Sequence, residues 1–174
     1  NTRYGVGIPT GLIDLDSFET VAAYCDSLDG EEVRYTLDYI IDTQQPAIDH
    51  LQSMLSTFNG YFSCREKIEL HCDMPVAAAY KSIDEDNFIK GSFSWWQKPD
   101  EDVCNRVVIE WVDPDNSYER VSASFPTVED VADQTRRGVI EQKFTLLGVT
   151  RASQVGRLGQ YLYDTGRLLR NFCS

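Results

Sequence analysis

The strongest constraint on the fold of this chain is a turn flanked by two strand-forming runs in its second half. The runs are 105–112 and 117–125, and Asp113-Pro114-Asp115-Asn116 lies between them. Proline fixes the φ angle that the second position of a common β-turn needs, and aspartate favours the first position. The pattern therefore predicts a β-hairpin around residues 105–125, and any fold of the chain must accommodate it.

Hydrophobic periodicity divides the first half of the chain into helices and strands. Apolar residues at helical spacing predict a helix over 16–28 and a second helix that Thr43 caps. The β-branched and aromatic run 33–41 predicts a strand between these helices. Two short runs, 61–64 and 67–72, predict a hairpin. The predicted order is helix, strand, helix, hairpin.

Further elements surround the central hairpin in the second half. An aromatic strand precedes it, and cross-strand packing of that strand with Trp111 is the simplest interpretation. A helix over 127–138, a strand over 140–147 and a last helix that begins at Thr150 follow the hairpin. The apolar face of this last helix is predicted to extend to Phe172.

These patterns predict an α+β fold made of two small α/β subdomains with mixed or antiparallel sheets. The first subdomain is the predicted helix-strand-helix-hairpin unit of residues 1–75. The second, residues 76–174, contains the β-hairpin and two helices, of which the C-terminal one is long. A single domain is the alternative, because the weakly patterned connection after residue 75 marks no sharp boundary.

Glycines in the last helix and tryptophans along the second half are the candidate interface residues. A glycine inside a helix costs about 1 kcal/mol relative to alanine, so glycines on one face indicate that another element packs closely there. That element belongs either to the same domain or to a neighbouring subunit. The aromatic residues suit a core, an interface or a ligand platform. The candidate residues are Trp95, Trp96, Trp111, Gly159, Leu162 and Gly166.

Net charge and hydropathy argue against two classes of partner. The formal charge is -12, from 28 acidic and 16 basic residues, which opposes tight binding to the phosphate backbone of nucleic acids. No run approaches the roughly 18 apolar residues that a membrane-spanning helix requires, so we expect no membrane insertion by this segment. The five cysteines lack the spacing of a metal or redox motif, and we expect reduced thiols.

The sequence offers no constellation of residues for catalysis or for metal or cofactor binding. His50 and His71 are the only histidines, and neither lies in a recognisable nucleophile or metal motif. The acidic clusters 84–86 and 100–102 fall in predicted turns, where aspartate favours turn formation and solvation. The acidic turn of the hairpin lacks the glycine and glutamate of a calcium loop. We therefore predict no enzyme activity, no cofactor and no metal site.

Five short segments form a collinear set along most of the chain. They are Arg3-Tyr4-Gly5-Val6-Gly7, Ala22-Ala23-Tyr24-Cys25-Asp26, Ser92-Phe93-Ser94-Trp95, Trp111-Val112-Asp113-Pro114-Asp115-Asn116 and Gly148-Val149-Thr150-Arg151-Ala152-Ser153-Gln154-Val155. In this order and spacing they resemble the central tail-tip attachment proteins of long-tailed, lambda-type phages, also called baseplate hub or host-specificity proteins. The resemblance rests on the collinear set and not on any single segment.

The resemblance implies that the chain is an internal segment of a virion structural protein. Proteins of this kind form a trimeric hub that closes the distal end of the tail tube and serves in tail assembly, host attachment and DNA ejection. The implied partners are other tail-tip and tail-tube proteins, with a homotrimer for the full-length protein. The implied location is the virion tail tip, and the host cytoplasm during assembly. Ser117-Tyr118 and residues 74–88 depart from the family pattern, which leaves the virus or prophage source and the local partners open.

Two other tail-tip functions are the alternatives. A peptidoglycan hydrolase requires a suitably spaced pair of carboxylates, for which Asp113 and Asp115 are candidates, but the lack of histidine motifs argues against it. A glycan-binding adhesin would present aromatic side chains to a sugar. The aromatic residues available for this role are Phe93, Trp95, Trp96 and Trp111.

Overall fold

The computed structural model describes residues 7–75, 84–87, 89, 92, 94–128, 131–168 and 171–173. Within these residues the chain forms four α-helices and small sheets of two or three strands. Helices pack beside the sheets and do not alternate regularly with parallel strands. The predicted α+β class is therefore confirmed.

The described residues pack as two compact units. Unit 1 draws on 1–74, 110–121 and 145–158, and unit 2 draws on 75–109, 122–144 and 159–174. Each unit is thus assembled from segments that are distant in sequence. The division into contiguous subdomains 1–75 and 76–174 stays a prediction, because packing alone does not show which segments fold independently.

The N-terminal part of unit 1 consists of two helices beside a hairpin. Its elements are α1 (Leu15–Cys25), β1 (Leu28–Asp29), β2 (Glu32–Val33), α2 (Ala47–Leu55), β3 (Gly60–Cys64) and β4 (Ile68–Cys72). Strands β3 and β4 pair antiparallel with Gly60 opposite Cys72, which confirms the predicted hairpin. Helix α1 lies against β4, and there the Ser17 hydroxyl accepts a hydrogen bond from the Leu70 amide at 3.0 Å. Helix α2 lies against β3.

Both of these helices are confirmed, but α1 ends before the predicted residue 28 and α2 begins later than a Thr43 cap implies. Helix α1 ends at Cys25, because the chain then turns into β1. Helix α2 begins at Ala47, because Pro46, which has no N–H and an extended ψ of 139°, occupies the N-cap position. The prediction that Thr43 caps α2 is wrong. Its carbonyl oxygen accepts a hydrogen bond from Nε2 of His50 at 3.2 Å.

The predicted strand over 33–41 is wrong beyond its first residue. Val33 pairs with Leu28 in the β1–β2 hairpin, and residues 35–42 form no helix, strand or turn. β-branched residues favour a strand only where another strand packs beside them, and no described strand pairs with this segment. The Gln154 side chain of a distant helix holds Thr36 of this segment in place instead.

The rest of the described chain forms a three-stranded sheet, a two-stranded sheet and two helices. Its elements are β5 (Trp95–Gln97), β6 (Arg106–Asp113), β7 (Glu119–Phe125), α3 (Val131–Arg137), β8 (Glu141–Leu146), α4 (Ala152–Leu168) and β9 (Asn171–Cys173). Strand β6 lies between β7 and β8. The Asn105 amide donates to the Ile140 carbonyl oxygen at 3.0 Å, where β6 and β8 both begin. These two strands are therefore parallel, and the sheet is mixed.

The central hairpin, β6 and β7, confirms the prediction for residues 105–125. The Asp113 carboxylate accepts a hydrogen bond from the Asp115 amide at 3.1 Å. The Tyr118 amide donates to the Asp113 carbonyl oxygen at 2.9 Å and closes the turn. Ser117 and Tyr118 have φ angles of 56° and 59°, a conformation that most side chains disfavour. Every second residue of β6 is buried, as a half-buried strand requires: Val107, Ile109 and Trp111.

Two predictions for the remaining elements are wrong. Strand β5 pairs antiparallel with β9, with Trp96 opposite Phe172, so Trp111 of β6 is not its cross-strand neighbour. Helix α4 spans Ala152–Leu168, whereas Phe172 lies in β9 and is not part of the helix. The predicted strand over 140–147 and the last helix are otherwise confirmed as β8 and α4. Helix α3 spans Val131–Arg137, and the described residues 127 and 128 of its predicted span are not helical. Phe93 falls outside the described residues.

Candidate functional site

A buried amide on α4 holds the irregular segment of unit 1. The Gln154 side chain is 0% exposed. Its Oε1 accepts hydrogen bonds from the Thr36 amide at 3.1 Å and the Thr36 hydroxyl at 3.2 Å. Its Nε2 donates to the carbonyl oxygens of Thr36 at 3.1 Å and Thr57 at 2.9 Å. One side chain thus satisfies the backbone groups that a neighbouring strand would satisfy in a sheet.

Two arginines of α4 and its N-terminal approach bind the same segment. Arg151 donates to the Val33 carbonyl oxygen at 2.8 Å, and Arg157 donates to the Arg34 carbonyl oxygen at 2.7 Å. Both guanidinium groups also pair with carboxylates, Arg151 with Glu32 at 3.6 Å and Arg157 with Asp29 at 3.3 Å. The positive charge at this end of α4 is therefore used within unit 1, and these two arginines do not form a phosphate site.

The residues before α4 complete this arrangement. The Gly148 carbonyl oxygen accepts from the Asp38 amide at 3.0 Å, and the Thr150 hydroxyl donates to the Asp38 carboxylate at 2.5 Å. A Cβ atom at Gly148 would lie 2.7 Å from the Leu37 side chain and 2.9 Å from the Thr57 side chain. Any residue other than glycine at this position would therefore have to displace the Leu37 or Thr57 side chain. The segment Gly148–Gln154 thus acts as a structural clamp on residues 33–38.

The clamped segment forms one wall of a cleft in unit 1. The cleft has a volume of about 780 Å³. Its apolar lining comes from Leu37, Tyr39, Ile40, Val112, Tyr118 and Leu147, and its charged lining comes from Asp38, Asp42 and Arg120. Ile40 is 81% exposed, and the neighbouring Ile41 is 59% exposed. Aliphatic side chains this exposed beside an open cleft are typical of an interaction surface.

Unit 2 contains a second buried amide with a similar role. Asn105 is buried, and its Nδ2 donates to the Gly138 carbonyl oxygen at 2.8 Å and to the Asp133 carboxylate at 3.2 Å. Its Oδ1 accepts from the Ile140 amide at 2.8 Å. Asn105 therefore joins the end of α3 to the start of β8 and helps to set where β6 and β8 begin to pair.

An ion pair within α3 adjoins this amide. The Arg137 Nε donates to the Asp133 carboxylate at 2.8 Å, and its Nη2 contacts the other carboxylate oxygen. Arg137 also donates to the carbonyl oxygens of Val103, at 3.0 Å, and Asp100. The hydrogen bonds from Arg137 hold the pKa of Asp133 far below its usual range, and those from Asn105 and Arg136 add to this, whereas burial opposes it.

We expect Asp133→Asn to reduce the stability of the chain by about 1–2 kcal/mol at neutral pH, because charge-assisted hydrogen bonds become neutral ones. The depressed pKa of Asp133 means that its contribution is complete above the unfolded pKa, near 4, and declines as the pH falls below that value. Urea unfolding from pH 7 to pH 2 measures this dependence. The wild-type chain and the variant should differ less in free energy of unfolding as the pH falls. A difference that stays constant with pH would contradict the depressed pKa of Asp133.

One cluster on the β3–β4 hairpin contains the residue types of a hydrolase triad. The Ser63 hydroxyl lies 3.0 Å from Nε2 of His71 and 3.0 Å from the Glu69 carboxylate, which itself lies 3.2 Å from the same Nε2. In a catalytic triad the serine hydroxyl contacts one ring nitrogen of the histidine and the carboxylate contacts the other. Here Ser63 and Glu69 both contact Nε2 of His71. Hydrogen bonds from Ser63 and His71 hold the pKa of Glu69 below its usual range. The cluster therefore suits cross-strand pairing and not nucleophile activation.

The candidate interface residues occupy different environments. Trp111 is buried on β6, whereas Trp96 is exposed on β5, the strand that also contains Trp95. A Cβ atom at Gly159 would overlap the ring of Phe125, and one at Gly166 would lie 2.9 Å from Sγ of Cys104. Leu162 is half-buried on the same helix. Gly159 and Gly166 thus have close neighbours inside unit 2, and the role of these six residues in an interface between subunits stays a prediction.

Among the cysteines whose side chains the structure describes, Cys25, Cys64, Cys72 and Cys104 are free thiols. Burial, together with Cys72 and Asp26 nearby, raises the pKa of Cys25 to about 11. A thiol with such a pKa is protonated at neutral pH and is a poor nucleophile. The described residues also contain no group of three side chains suited to bind a metal and no helix long and apolar enough to cross a membrane.

The structural roles of Gln154 and Asn105 were not predicted from the sequence. Gln154 has one usable signal, since it lies beside Val155 and one turn before Leu158 on the apolar face of the last helix. A polar residue on an apolar face must find hydrogen-bond partners. Asn105 has no such signal, because it stands at the end of a loop.

Two comparisons relate the chain to known proteins. The profile of a protein family described as "Putative phage tail protein" matches residues 46–174. A solved structure titled "Virion of native gene transfer agent (GTA) particle" contains a chain with a similar fold, with a TM-score of 0.51 and 14% sequence identity. The alignment covers 78% of the present chain and 30% of that chain. The present chain thus spans less than a third of the solved chain that it matches.

Proposed function

Because the chain belongs to the phage tail protein family, we propose that it is a structural segment of the tail tip, within the baseplate hub. The family match carries the tail assignment. The collinear motifs from Arg3 to Gln154, which resemble lambda-type attachment proteins, support the tip position. The proposed partners are other tail-tip and tail-tube proteins, with a homotrimer for the full-length protein. Tail assembly, host attachment and DNA ejection are the processes in which the segment takes part.

We further propose that the segment has no catalytic activity of its own. The segment Gly148–Gln154, at the start of the last helix, binds backbone groups within unit 1. The Asp113 carboxylate, a candidate for glycoside hydrolysis, accepts a hydrogen bond in its own turn. The cluster on the β3–β4 hairpin lacks the geometry of a catalytic triad, because Ser63 and Glu69 contact the same nitrogen of His71. Each of these groups therefore has a structural use within the part of the chain that the structure describes.

Immunogold electron microscopy tests the proposed location. Particles produced from the genome that encodes the chain are labelled with antibodies raised against the 174-residue chain. We expect gold particles at the end of the tail opposite the head. Label along the whole tail, label at the head, or particles without label would each contradict a tail-tip role.

Zymography on purified cell wall tests the absence of catalysis. We expect no clearing by the purified chain. A cleared band that disappears when Asp113 and Asp115 are both replaced by asparagine would support a peptidoglycan hydrolase instead.

A further inference from the structure

Residues 37–42 combine a strand-forming sequence with an unpaired backbone. The Asp38 amide donates to the Gly148 carbonyl oxygen at 3.0 Å. It is the one amide of this segment with a hydrogen bond to the backbone of another described residue. Exposed N–H and C=O groups beside β-branched side chains are a template for a strand from another chain. The segment therefore combines a local preference for a strand with the absence of a strand partner among the described residues.

The side chains of the segment, like its backbone, favour docking of another strand. Ile40 and Ile41 are exposed, so their burial against a partner would be favourable. The adjacent cleft, with about 780 Å³, is large enough to hold several side chains. Alternate residues of an added strand would face this cleft, because successive side chains point to opposite faces of a strand.

We propose that residues 37–42 accept an extended segment of another tail protein as an added β-strand. Apolar side chains of that segment fill the cleft, and its basic side chains pair with carboxylates at the cleft wall. The assignment of the occupant to a tail protein rests on the proposed function. The docking geometry rests on the unpaired segment and the cleft alone.

Charge decides between a second copy of this chain and a basic partner. Asp38 and Asp42 line the cleft, and Arg120 is the one basic residue among its described lining residues. The chain carries a net charge of -12, so a second copy would bring like charge to this surface. A segment that alternates apolar and basic residues places its charges near the two carboxylates and its apolar side chains in the cleft.

Nuclear magnetic resonance of the isotope-labelled chain tests the docking site directly. The probe is a short peptide that alternates lysine and valine, and the control peptide alternates glutamate and valine. With the lysine peptide we expect chemical-shift changes confined to the cleft. Exchange should slow by about tenfold or more at alternate amides among residues 39–42, as one new hydrogen bond at each of them implies. The glutamate peptide should bind at least about tenfold more weakly because like charges repel.

Two matched variants separate strand addition from a general effect. Ile40→Pro removes an amide donor in the segment and should abolish binding of the lysine peptide. Val128→Pro changes a residue that is equally exposed, at 82%, and does not line the cleft, and binding should persist. If Ile40→Pro does not fold, Ile40→Asp and Val128→Asp replace the pair, with the same expected contrast.

Several outcomes would overturn the proposal. The first is equal affinity for the two peptides, and the second is a set of chemical-shift changes outside the cleft. The third is undiminished binding of the lysine peptide by the Ile40 variant. The fourth is self-association of the chain that slows amide exchange in residues 39–42. The last result would make a second copy the occupant. None of them affects the gold label expected at the tail tip, so failure of this inference and failure of the proposed function are distinguishable.

Discussion

Replacement of Gln154 by leucine is expected to lower the free energy of unfolding by at least about 3 kcal/mol, because each buried backbone group left without a partner costs about 1–3 kcal/mol. Three such groups lose their partner, namely the Thr36 N–H, the Thr36 carbonyl oxygen and the Thr57 carbonyl oxygen. The added apolar contact of leucine does not offset this loss, because Gln154 and Thr57 are buried, at 0% and 1% exposure, and Thr36 is half-buried.

Urea and thermal unfolding measure this effect, and we expect the melting temperature to fall by roughly 6–12 °C for a chain of this size. Gln160→Leu is the matched control on the same helix. Gln160 is exposed, and the hydrogen bonds of its side chain are to Asp164, so its replacement should change the stability by no more than about 0.5 kcal/mol. Equal effects of the two substitutions would show that the Gln154 clamp contributes little.

Replacement of Gly159 by alanine is expected to destabilise the chain by about 2–3 kcal/mol, because overpacking a filled core forces buried groups to move. The added Cβ atom would overlap the ring of Phe125, which is itself buried and cannot swing into solvent. This cost exceeds the gain of about 1 kcal/mol that alanine usually gives over glycine inside a helix.

Gly156→Ala provides the control for this substitution, because nothing lies within 4 Å of a Cβ atom at Gly156. There the helix preference acts alone, and stability should rise by about 0.5–1 kcal/mol. Chemical denaturation of both variants therefore gives shifts of opposite sign. A stabilising Gly159→Ala would mean that the close approach to Phe125 does not exist, and Gly159 would then be available to a neighbouring subunit.

The candidate site could be predicted from the sequence only in part. The motif Gly148–Gln154 stood out by its resemblance to tail-tip proteins, but the resemblance gave no partner for Gln154. Its partners, Thr36 and Thr57, lie more than ninety positions away along the chain. Hydrophobic periodicity describes which face of a helix is buried, and it contains no information on which distant backbone that face meets.

Local physical rules determined the central hairpin, the hairpin at 60–72 and the helical faces from the sequence alone. Turn residues and alternating side chains act over a few positions, as the Asp113 turn shows by closing on its own carboxylate. Tertiary structure alone decided the conformation of residues 33–41 and the strand with which β5 pairs. A strand exists only when another backbone supplies its hydrogen bonds. For β5 that backbone is β9, whereas residues 35–42 receive a side-chain clamp and keep an unpaired, exposed segment beside the cleft.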